Sequence, residues 1–133
     1  MPKFLVIVNH DNGATDTPMD QWEPEEVKAH MNYYEVLARE LTENGEQIQF
    51  MALADPRRAR IVRSDGGTEP VVTDGPYPES KEVLAGFQVV DVESEARAIE
   101  IAALISAVPG PGGIPIQQPV EVREVMHDTG GDV

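Results

Sequence analysis

The 133-residue chain contains no cysteine, which excludes disulfides, thiolate nucleophiles and zinc–thiolate sites and agrees with a reducing compartment. It also lacks any apolar run near the ~20 residues that a membrane-spanning helix needs. No such run exceeds five residues, and the first, residues 4–8, has the length of a strand. It lies behind a single basic residue, Lys3, and no small-residue cleavage site follows it, so no secretory signal is expected and the protein is expected in the cytoplasm. Basic residues are scarce, with 10 Lys and Arg against 24 Asp and Glu and a formal charge of −14. Such a field repels phosphate backbones and anionic headgroups, so neither nucleic acid nor a membrane is an expected partner. The local cluster of Arg57, Arg58, Arg60 and Arg63 reads as a solvated strand face. Absent too are the G-x-S-x-G elbow, the phosphate loop, the dinucleotide fingerprint and the H-E-x-x-H metal helix. Glycines at 110, 112 and 113 are interleaved with prolines, a pattern that bends the chain and presents no row of N–H groups to a phosphate.

What remains is enough for one core. A hydrophobic content of 41% over 133 residues fits a single domain spanning 1–133, with a flexible tail at 126–133. Residues 3–9 form an uninterrupted apolar strand of the kind covered on both faces, hence a central one. A polar loop follows, and Pro24, Glu25 and Glu26 open a helix whose apolar stripe is Val27, Met31, Tyr34, Ala38 and Leu41, ending at Asn44-Gly45. Residues 47–53 alternate as a half-buried strand, with Ile48, Phe50 and Ala52 on one side. Residues 59–63 and 69–73 flank a Ser-Asp-Gly-Gly turn as an inserted hairpin. A strand at 87–92, a helix capped by Ser94 with Ala98, Ile101, Ala102 and Ile105 inward, and a strand at 120–125 complete the order. This is the α+β, ferredoxin-like split βαβ pattern with both helices on one sheet face. Phe87 and Val89 point away from Val90 and Val92, so the second face is also apolar, and two such sheets packed face to face would make a homodimer.

Only histidine exchanges protons near neutral pH without a large shift. His10 ends the first strand beside Asp11, where it could border a cleft, and His127 lies in the polar tail. His30 falls within the stripe of the first helix, as either a core histidine or a general acid or base facing a pocket between helix and sheet. The other unusual stretch is Thr73-Asp74-Gly75-Pro76-Tyr77-Pro78, a rigid turn joining a carboxylate to an aromatic ring.

Asp74-Gly75-Pro76-Tyr77, the following Glu79, Ser80, Lys81, Glu82, Leu84, Ala85, Gly86 and Phe87, and the closing Val120-Glu121-Val122-Arg123 resemble the YCII-related family, in particular its DGPF subgroup, with tyrosine in place of the motif's phenylalanine. The resemblance implies a dimeric α/β barrel built from ferredoxin-like subunits. It implies either of two functions. One is a small-molecule enzyme, isomerase- or lyase-like, in which His30 and Asp74 perform acid–base chemistry with no metal or cofactor, and His10, Gly75, Pro76 and Tyr77 border the ligand. The other is a non-catalytic ligand-binding or regulatory module linked to sigma-factor signalling, in which the histidine is structural.

Overall fold

A computed structural model describes residues 1–9, 15, 17–54, 56–75 and 84–127. The expected tail at 126–133 falls outside these from residue 128 onward. Strand β1 (Lys3–Asn9) leads to helix α1 (Pro24–Glu43), strand β2 (Gln47–Ala52), the short strands β3 (Arg60–Arg63) and β4 (Val71–Asp74), strand β5 (Leu84–Asp91), helix α2 (Glu95–Ser106) and strand β6 (Val120–Glu124). The four long strands form one sheet in the order β2-β5-β1-β6, with every neighbour antiparallel. This is the ferredoxin-like arrangement, with β1 central as its unbroken apolar sequence requires. β3 and β4 form a separate two-stranded sheet, the inserted hairpin.

Local chemistry sets the element ends. Pro24 occupies the first turn of α1, followed by Glu25 and Glu26 where the helix dipole favours negative charge. Gly45 continues past the helix with φ +78°, a conformation that glycine adopts without a Cβ penalty. Ser94 Oγ accepts the Arg97 N–H at 3.2 Å to start α2.

Register assigns the faces of the sheet. Phe4 pairs with Val90 and Val6 with Gln88, and Phe4, Val6 and Val90 share one buried cluster with Leu37 and Leu41 of α1 and with Ala98, Ile101, Ala102 and Ile105 of α2. The intervening residues Leu5, Ile7, Phe87 and Val89 lie on the opposite, half-exposed face, as the alternation of β5 requires. Among the described residues no helix is long and apolar enough to cross a membrane.

Three details differ from expectation. The register of β2 against β5 shifts between Gln47 and Gln49, so Phe50 and Ala52 face the helices while Ile48 leaves the ladder at 52% exposure. As an edge strand, β2 is also more exposed than a half-buried strand would be. The inward face of α1 consists of His30, Leu37 and Leu41 rather than Met31, which is exposed. β5 begins at Leu84 rather than at 87, and this brings Gly86 and its neighbours into the sheet.

Candidate functional site

The site is built where the first half of α1 meets the loop after α2. His30 is buried on the inner face of the helix, and its ring Nδ1 lies 3.0 Å from the carbonyl oxygen of Pro109. A carbonyl only accepts, so Nδ1 carries the proton, and in the neutral ring Nε2 keeps its lone pair. Burial lowers the His30 pKa, and the Pro109 carbonyl offsets this only in part, so the ring is neutral at neutral pH. Trp22 and Tyr34 flank the imidazole edge to face, at centroid distances of 5.3 and 5.2 Å. The Trp22 indole is itself held by an Nε1–H bond to the Thr17 carbonyl at 2.8 Å.

The loop that supplies the Pro109 carbonyl is fixed at several points. Val108 and Ile116 are buried and joined by an Ile116 N–H to Val108 carbonyl bond of 2.9 Å. Pro109 bridges to Pro115, and Gly112 turns the chain at φ +69°, in the left-handed region that favours glycine. Glu26, one helical turn before His30, accepts the Gly112 N–H at 2.6 Å and the Glu23 N–H at 2.9 Å. These bonds, that from Gly112 foremost, hold its carboxyl below the usual carboxylate range. The proline–glycine segment therefore binds an anion, and that anion is the protein's own side chain.

Beside His30 opens a cavity of about 360 Å³. Its buried wall is made by His30, Gly86 and Gln88, and its exposed rim by Met19, Met31, Phe50 and Met51. Methionine suits such a rim because its unbranched, polarizable side chain adapts to different contacts. Gly86 is required here by close approach, since a Cβ would sit 2.7 Å from the Met51 carbonyl oxygen on the neighbouring strand. Gln88 is 4% exposed, and its Oε1 is buried without a hydrogen-bond partner. Tyr34 adds a phenol whose pKa burial raises, so it stays protonated.

Of the residues expected at the site, His30 lines the cavity and Asp74 does not. Asp74 ends β4 in the separate hairpin, where its carboxylate is 89% exposed and 3.6 Å from Arg60 Nε. Gly75 donates its N–H to the Ala59 carbonyl at 2.9 Å and closes that hairpin against Ile61. His10, Pro76 and Tyr77 lie outside the described residues. Gln88 and Pro109 were not expected. Gln88 had a readable signal, because strand alternation puts it on the face of Val90, where a polar residue is out of place. Pro109 had none, since a carbonyl partner 79 residues away leaves no local trace. Among the described residues no three His, Asp or Glu side chains gather as a metal site would need.

The YCII-related domain matches residues 3–113. An uncharacterised protein of Rhizobium meliloti (strain 1021) is 29% identical over 115 residues, covering 86% of this chain and 89% of its own length. The YCII-related match spans 111 residues, 3 through 113, most of the chain, and the chain belongs to the YCII-related family.

Proposed function

We propose that this protein binds a small molecule in the cavity beside α1, and that His30 Nε2 accepts a proton from it in cofactor-free acid–base chemistry of the isomerase or lyase type. The observation that carries the reading is the bond from Nδ1 to the Pro109 carbonyl, which fixes one tautomer and leaves the other nitrogen basic. Neutrality of the buried ring at physiological pH adds to it, because a base must be unprotonated before it can act.

The position of Asp74 favours a second reading. An exposed carboxylate paired with Arg60 on the hairpin is not an orienting partner for His30, and a histidine without one can simply recognise a ligand. In that case the same cavity serves a non-catalytic binding or regulatory module.

A small-molecule screen followed by amide NMR tests both. Hits should shift Phe50, Gly86 and Gln88 together, and hits confined to other faces would contradict the cavity. For any compound that is turned over, His30→Ala should lower kcat by about 10² or more. A comparable loss in Asp74→Asn would support the pair, whereas unchanged turnover would leave His30 as the acting group alone.

The assembly proposed with this function is a homodimer through the outer sheet face. Leu5, Ile7, Phe87 and Val89 on that face support it, because a contiguous apolar sheet surface left wet is unfavourable and a two-fold pairing covers both copies at once.

A further inference from the structure

The geometry points to an uncharged, largely apolar ligand that carries an N–H or O–H donor, with Gln88 as the residue that recognises that donor. This inference rests on the reading of the cavity as a binding site.

Gln88 sits in the middle of β5 between Val6 of β1 and Phe50 of β2, on the face that forms the hydrophobic core. An aliphatic side chain would be favourable there, and a buried amide oxygen with no partner lowers stability. The side chain lines the cavity, so a donor entering from the open side would satisfy the oxygen once the amide turns toward it. The ligand is uncharged because the lining contains no Lys, Arg, Asp or Glu among the described residues, where its one titratable ring near neutrality is the neutral His30. Among the described lining residues an anion would meet no cation, in a chain of formal charge −14, and a cation would meet no carboxylate. Phe50 and Tyr34 supply flat apolar surface for the rest of the molecule.

Indole and its relatives separate these requirements. The ¹⁵N-labelled full chain is titrated at pH 7.5 with indole, with 1-methylindole, which has the same shape without the donor, with indole-3-acetate and with tryptamine, following the amides of Gly86 and Gln88. Indole should bind about tenfold more tightly than 1-methylindole, as one hydrogen bond to a buried acceptor allows. It should also bind more tightly than either charged relative. Gln88→Leu should bring indole and 1-methylindole within about twofold of each other while raising the melting temperature, since it removes an unpaired polar group. Gln88→Met, unbranched and close to glutamine in size, should do the same if the leucine variant does not fold. Equal binding of indole and 1-methylindole to the wild type, tighter binding of a charged relative, or a donor preference that survives both substitutions would overturn the assignment of ligand class while leaving the cavity as a binding site. If none of the four probes shifts Gly86 or Gln88 at millimolar concentration, the cavity reading fails and this inference with it.

Discussion

His30 Nδ1 and the Pro109 carbonyl oxygen are 3.0 Å apart although 79 residues separate them in the chain. This single bond joins the first helix to the loop after the second, and it also selects the ring tautomer. The burial that surrounds this contact, opposed in part by the bond itself, makes stability depend on pH. Burial lowers the folded-state pKa of His30 below the 6.5 of an exposed ring. Between these two values the unfolded chain binds the proton and the folded one does not, so the stabilisation is complete above pH 6.5 and is lost as pH falls from there toward the folded pKa. Urea denaturation at stepped pH should show this loss, and His30→Phe should flatten it. A slope unchanged in the variant would mean that His30 is not the group responsible.

Gly86→Ala tests the close approach of β2 and β5. The added methyl would stand 2.7 Å from a backbone oxygen, which cannot move away as a flexible side chain could. The strands must separate, at a cost of about 1–3 kcal/mol, with the cavity wall displaced. A variant as stable as the wild type in chemical denaturation would contradict the geometry.

Glu46 and Arg97 make the best ion pair among the described residues, with Arg97 Nε and Nη2 donating to the two carboxylate oxygens at 2.9 and 2.8 Å. The pair ties the turn after α1 to the start of α2. The Arg97 hydrogen bonds hold the Glu46 carboxyl below the usual range, so its contribution is present above about pH 4.5 and lost as pH falls through the lowered value. Glu46→Gln should cost about 1 kcal/mol at pH 7 and almost nothing in strong acid. An equal cost at both pH values would point to packing instead of charge.

Phe87→Glu places a charge in the outer sheet face without touching the helix-covered core, because strand alternation separates the two. Light scattering should report a dimer for the wild type and a monomer for the variant. A wild type that is monomeric at micromolar concentration would rule out the proposed assembly.

Most of the fold was legible because it is written in local patterns. The bounds of β1, the α1 start at Pro24, the Ser94 cap and the four inward residues of α2 each follow from periodicity or capping within a few residues. The misses were non-local. The bulge that takes Ile48 off the face it was expected to share with Phe50 and Ala52 depends on register against β5, and no period in β2 reveals it. The inward placement of His30 was legible from the helical stripe. Its partner could not be read, because proline–glycine segments carry no signal of which distant group their carbonyls will meet. Asp74 was drawn into the expected pair by resemblance, and the hairpin holds it at the surface beside Arg60.

The central claim is that His30 presents a basic Nε2 beside the cavity, and the most direct measurement is a long-range ¹H–¹⁵N spectrum of the histidine rings at pH 7.5. The account predicts that the His30 Nδ1 resonance is that of a protonated nitrogen and Nε2 that of a bare one. A proton on Nε2, or a ring still doubly protonated at that pH, would contradict it.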